Sequence, residues 1–130
     1  MSRPMPSPFR RTKVITGARL EKGMDIARRT HAWMEANEEA FWAIYEQVKR
    51  MQANGVKGRI RDRVAARCVD LNVRVGTDYV FNNDYWAGIS RYLVLYDPSL
   101  KDDPVKGRES AVDCYGLLPV SWLPGLGEKE

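Results

Sequence analysis

The densest set of side chains able to do chemistry in this sequence is a run of cations, Lys57, Arg59, Arg61, Arg63 and Arg67, offset nearby only by Asp62 and Asp70. A guanidinium binds phosphate through two parallel N–H bonds and reads the O6 and N7 edge of guanine in the same way. The natural chemistry of such a run is therefore recognition of a polyanion. Asn83 and Arg91 extend the set, because an amide side chain reads adenine much as an arginine reads guanine. Arg67 departs from the rest: helical spacing sets it inside an apolar stripe, where it snorkels or pairs with Asp70 or a glutamate. For the other cations, a merely solvated charged face is the alternative.

The residue sets of catalysis are missing. There is no GxSxG, HExxH or phosphate-loop signature, and Asp62, Asp70, Asp78 and Asp84 lack the surroundings that mark a general acid or base. His31 is the only histidine and has no visible partner, so it reads as a packing residue with its polar atoms satisfied. Cys68 and Cys114 form no CxxC and have no close histidine, which argues against a zinc site or a disulfide scaffold. No enzyme, metal or cofactor is expected, and a nuclease built of scattered carboxylates is the residual alternative.

With 130 residues, 44% hydrophobic and 29% charged, the chain suits one globular domain with a modest core. The net charge of +4 hides a sorting along the chain: residues 1–22 sum to +5, 23–48 to −3, 49–67 to +6, 68–96 to −1 and 97–130 to −3. Two basic blocks flanking an acidic one make a polyanion surface, provided that the fold brings the blocks together. No apolar run approaches the roughly 18 residues of a membrane span, so no membrane association is expected. The basic amino terminus has no apolar segment behind it and does not read as a secretory signal, which predicts a cytoplasmic protein.

The elements that must position these residues follow from periodicity and punctuation. Pro4, Pro6 and Pro8 stand at alternate positions, predicting a disordered basic arm over 1–19, with Arg10 and Arg11 available to phosphates; a solubilising tail is the other reading. Leu20, Met24, Ala27, His31 and Met34 predict a first, imperfect amphipathic helix at the start of a single globular domain, 20–130. A second helix is predicted over 38–54, capped by Asn37, closed by Gly55, with Phe41, Ile44, Tyr45, Val48 and Met51 facing the core and Trp42 at the stripe's edge. A third, 59–71, carries the cations on one side and Ile60, Val64, Cys68 and Leu71 on the other. Alternation in 73–81 around Gly76-Thr77-Asp78 predicts a small β-hairpin. The last helix, 82–100, buries Tyr85, Ile89, Tyr92, Leu93 and Tyr96, and Asp97-Pro98 stops it. Its other face, with Asn83, Asp84, Ala87, Arg91 and Val94, is small and weakly charged. That suits contact with another macromolecule, or burial on both sides. Residues 111–118 are expected as an edge strand, and 119–126, with Trp122, as an irregular segment packed over the body. The fold class is thus mainly α (α+β), about four helices with a small hairpin.

Residues 57–100 resemble a group of small phage and prophage proteins. The likeness lies in Gly58-Arg59 opening a helix, Tyr79-Val80-Phe81-Asn82-Asn83 running a strand into asparagines, and a helix with Tyr85 and Arg91 ending in Asp97-Pro98-Ser99-Leu100. Some members are described as helix-turn-helix or winged-helix DNA-binding proteins. The resemblance implies phage origin, an infected or lysogenic bacterial host, a divergent winged-helix-like domain, and DNA contacts by Arg59, Asn82, Asn83 and Arg91. Two features depart from it: the hairpin precedes the would-be recognition helix, and twelve residues separate Leu71 from Asp84, too many for a helix-turn-helix turn.

Two functions follow. In the first, a phage-type, non-catalytic protein binds double-stranded DNA, with Arg10, Arg11, Lys57, Arg59, Arg61 and Arg63 on phosphates and the 82–100 helix toward bases. Its small footprint calls for a homodimer in specific binding. In the second, a small phage interaction module binds and modulates a host or phage protein through Trp86, Val94, Leu95 and Trp122, since aromatic and aliphatic anchors carry protein interfaces.

Overall fold

Four α-helices carry the described part of the chain: α1 (Gly17–Ala36), α2 (Glu38–Ala53), α3 (Asn83–Tyr96) and the single turn α4 (Val112–Tyr115), with a 3-10 turn at Pro98–Leu100. The computed structural model describes residues 4–9, 16–56, 60, 63–64, 83–101, 105 and 110–124. The protein is mainly helical, as the periodicities predict. The expected hairpin, 73–81, lies outside the described residues. So does most of the expected basic helix, although Ile60 and Val64 of its apolar side are buried in the core and Val64 N–H bonds the Ile60 carbonyl at 2.8 Å.

The core is built on α3. Every residue from Ala87 to Val94 is buried, so this stretch of the helix is covered all round. Of the two readings open for its small, weakly charged face, burial on both sides is the one realised. Ile89, Tyr92 and Leu93 are fully buried together with Phe41, Ile44 and Val48 of α2 and Met34 of α1. Each such side chain contributes about 1.5–3 kcal/mol of transfer free energy. The helix ends at Tyr96, where Asp97-Pro98 was expected to stop it, and Pro98–Leu100 form a 3-10 turn. Asp97 then turns the chain by accepting the Ser99 N–H at 3.1 Å, with Pro98 filling the first 3-10 position, where no N–H is needed.

α2 buries Phe41, Ile44 and Val48 of its expected core stripe but leaves Tyr45 and Met51 partly exposed, and it ends as expected, where Gly55 adopts φ +75° and its N–H bonds the Gln52 carbonyl at 3.1 Å. Its start differs: Asn37 does not cap with its side chain, which donates instead to the Trp33 carbonyl at 3.0 Å.

α1 starts at Gly17, capped by the Thr16 hydroxyl, which accepts the Arg19 N–H at 3.2 Å. Its buried face is Gly23, Ile26, Ala27, Thr30, Trp33 and Met34. Leu20, expected inside, is 37% exposed. Close approach of neighbouring elements decides the face. A Cβ on Gly23 would stand 2.3 Å from the Ala111 carbonyl oxygen, and one on Gly88 of α3 would stand 2.2 Å from Thr30 Oγ1. Hydrophobic periodicity weights large side chains and is blind to contacts that need small ones.

Both terminal segments correct the sequence reading. Residues 4–9, expected within a disordered arm, are docked: Met5 forms an antiparallel bridge with Leu117, and Ser7 and Phe9 are buried. Alternating prolines exclude regular structure but leave an extended strand able to pair through Met5. The edge strand expected at 111–118 is instead α4, followed by Gly116 at φ +108° and the bridge at Leu117. Residues 119–124 pack over the body as expected, with Val120 and Leu123 buried.

Candidate binding face and a buried ion pair

An arginine in a helix of isoleucine, tyrosine and leucine reads from spacing as facing water, but Arg91 is only 2% exposed. Its Nε donates to Asp113 Oδ1 at 2.9 Å and its Nη2 to Oδ2 at 2.8 Å, a bidentate pair between α3 and α4. Nη1 donates to Ser90 Oγ at 3.2 Å, and the guanidinium carbon lies 4.7 Å from the centre of the Phe9 ring. Asp113 also accepts the Ser7 hydroxyl and, at 3.3 Å, the Ser110 N–H. The arrangement is closed and satisfied, and it removes Arg91 from the set of DNA-reading residues. Val94, also expected on an outer face, is 2% exposed and leaves the set of interaction residues.

The side chains that do reach the surface together are aromatic. Trp42 packs edge-on against Tyr96 at 4.9 Å between ring centres, Tyr45 at 5.8 Å and Trp122 at 5.9 Å, and Tyr45 meets Tyr96 at 5.3 Å. All four are partly exposed. Trp122 is held by its indole N–H on the Met34 carbonyl at 2.9 Å, and Trp42 donates to Glu38 at 3.3 Å. Rings this close and mutually edge-on fill the space between them, so they offer an apolar surface and not a cage for a cation. Trp86 and Leu95 are partly buried against the core.

Beside this face Asp97 gathers the ends of α2 and α3. Its Oδ2 accepts from the Tyr45 hydroxyl at 2.8 Å and Lys49 Nζ at 3.0 Å, and its Oδ1 accepts from the Ser99 hydroxyl at 2.6 Å. Burial pushes the Asp97 carboxyl upward, but hydrogen bonds from Ser99, Lys49 and Tyr45 outweigh it and hold the group at about 2. Burial, with the Asp97 carboxylate as acceptor, pushes Tyr45 up to about 12. A tyrosine held protonated in this way is a fixed donor, the opposite of an activated base. Lys49 also donates to Gln52, whose amide reaches the Ser99 carbonyl at 3.0 Å.

His31 is satisfied as expected: Nε2 lies 3.0 Å from the Pro119 carbonyl and 3.3 Å from Glu35. Glu35 accepts the Ser121 hydroxyl at 2.6 Å and its N–H at 2.9 Å, and these bonds lower its pKa. With the Tyr92 hydroxyl on the Leu118 carbonyl at 2.5 Å, these contacts fasten residues 118–122 across the helices and carry Trp122 to the aromatic face.

Of the remaining residues expected at a site, Arg63 is exposed. Asn83 opens α3, and Arg10, Arg11, Lys57, Arg59, Arg61 and Asn82 lie outside the described residues. Trp42, Tyr45 and Tyr96 read as core residues in the sequence. Their signal was present in the i, i+3 spacing of Trp42 and Tyr45, but Tyr96 joins them only through the packing of α3 on α2. Among the described residues no group of three His, Cys, Asp or Glu could hold a metal ion, and no helix is long and apolar enough to cross a membrane. No protein-family model, curated protein or solved structure matches the chain.

Proposed function

We propose that the protein is a non-catalytic interaction module that binds a protein partner through the face formed by Trp42, Tyr45, Tyr96 and Trp122. The observation that carries this reading is the gathering of four partly exposed aromatic rings from α2, α3 and the carboxy-terminal segment. Tryptophan and tyrosine dominate interface energetics because they bury a large area at little rotamer cost. The face is also stiff: Asp97 fixes Tyr45, the Met34 carbonyl fixes Trp122, and little ordering remains to be done on binding. The resemblance of residues 57–100 to phage proteins makes a host or phage protein the partner proposed.

Binding to duplex DNA is the second reading. It is supported by the +6 charge of residues 49–67 and by the exposure of Arg63, but it loses Arg91. A photoreactive amino acid at Glu46, exposed and one turn from Trp42, should cross-link a discrete partner protein in host lysate, whereas the same group at Arg28 on α1 should not. Equal cross-linking from both positions, or none from either, refutes the aromatic face. Micromolar binding of random duplex DNA, with log affinity falling against log salt at a slope of roughly −4.5 for about five phosphates, would replace it by the DNA reading.

A further inference from the structure

We infer that the segment taken by the aromatic face is a cationic amphipathic helix of the partner, with aliphatic side chains on the rings and lysine or arginine along its flanks. This rests on the reading of Trp42, Tyr45, Tyr96 and Trp122 as the binding surface. The charge beside those rings points to it. From Glu38 to Gln47, α2 carries three glutamates, Glu38, Glu39 and Glu46, and no cation, and all three are exposed. Glu38 meets the face directly, since its carboxylate accepts the Trp42 indole N–H at 3.3 Å, and Glu46 stands one turn beyond Trp42. At the other edge Glu35 holds Ser121, the residue before Trp122. Lys49, the next cation along α2, is matched instead by Asp97 at 3.0 Å.

The sign of this rim decides between occupants. A second copy docked face to face sets glutamate against glutamate, and a nucleic acid or an anionic lipid surface sets phosphate against it, so each is repelled. Lysine and arginine are attracted. Their methylene stems cover apolar surface while the charged ends reach carboxylates at its edge.

The rings decide the backbone. The Trp42 indole donates to Glu38, the Trp122 indole to the Met34 carbonyl and the Tyr45 hydroxyl to Asp97, so three of the four rings have their donors engaged. An extended segment buried on such a face would need partners for its own N–H and C=O groups. A helix satisfies these internally and presents side chains alone.

Two labelled peptides, titrated with the full-length protein and followed by fluorescence anisotropy, test this. One is about two heptads of leucine and lysine with leucine at helical spacing, and the other has glutamate in place of every lysine. The chain carries +4 overall, so binding set by net charge favours the glutamate peptide. The lysine peptide should nevertheless bind at least about tenfold tighter. Glu38→Lys with Glu46→Lys should weaken it about tenfold, because two exposed attractions become repulsions. Glu21→Lys with Asp25→Lys makes the same change of charge on exposed residues of α1 and should leave its affinity within about twofold. Equal or tighter binding of the glutamate peptide, binding of neither, or equal weakening by the two double variants overturns the inference. The cross-link at Glu46 tests the face itself and fails separately. A discrete partner cross-linked there, with no binding of the lysine peptide, rejects the cationic helix and keeps the face, whereas equal cross-linking from Glu46 and Arg28 rejects both.

Discussion

Replacing Arg91 by methionine separates a structural arginine from a recognition arginine. Methionine keeps an unbranched chain of similar reach beneath Phe9 but removes both bonds from Nε and Nη2 to Asp113, leaving that carboxylate with only Ser7 and Ser110 as donors. Breaking a buried pair from one side costs about 3–5 kcal/mol, because the remaining charge stays desolvated. At about 4 °C per kcal/mol for a chain of this size, Tm should fall by roughly 12–20 °C. Removing both charges together, Arg91→Met with Asp113→Leu, should recover most of the loss and end within about 1 kcal/mol of the parent, since two apolar side chains need no partners. Urea denaturation followed by circular dichroism and tryptophan fluorescence measures Arg91→Met, Asp113→Leu and the double variant against the parent. A loss below about 1 kcal/mol for Arg91→Met, or a double variant as unstable as the sum of the singles, would refute the reasoning. Any affinity of the folded protein for DNA should be unchanged by Arg91→Met, since the side chain is 2% exposed.

Three further outcomes are expected. Thr30→Val should stabilise by about 1 kcal/mol in the same urea assay, because the buried Thr30 hydroxyl has no hydrogen-bond partner and valine keeps its shape. Gly116→Ala should cost at least about 2 kcal/mol, through its φ of +108° and the clash with the Met5 carbonyl, and should accelerate exchange at Met5. The third concerns acid. Asp97 is held at about 2, below its ordinary 3.8, so its contribution is complete above about pH 4 and is lost as pH falls through about 2. Asp97→Asn should therefore be less stable than the parent at pH 6, and the difference should shrink steadily between pH 4 and pH 2; a difference that is constant with pH would contradict the network around Asp97.

The aromatic face was only half legible in the sequence. Trp42 and Tyr45 lie on one side of α2 by spacing alone, yet a stripe of rings at helical intervals reads as core, and nothing local says that its edge stays partly in water. Trp122 carried an expectation of packing over the body, and its contact with Trp42 depends on His31, Glu35 and Tyr92 fastening the chain that precedes and surrounds it. The expected DNA-reading helix shows the opposite failure. Arg91 and Val94 fall on a face that spacing alone leaves open to a partner or to burial on both sides, and α3 is enclosed on every side from Ala87 to Val94.

What the sequence determined by itself is whatever the backbone decides within a few residues: the Phe41, Ile44 and Val48 part of the α2 stripe, its stop at Gly55, and the stop of α3 before Asp97-Pro98. These depend on side-chain spacing, on proline lacking an N–H and on glycine tolerating positive φ, all of which are local. The tertiary structure alone decided which side of α1 is buried, that residues 4–9 dock, and that Arg91 belongs to Asp113. Each of those outcomes depends on a partner 22 or more residues away, and on small residues whose value lies in what they allow to approach. A charge is classed as surface or core by the presence of such a partner, and helical periodicity carries no information about it.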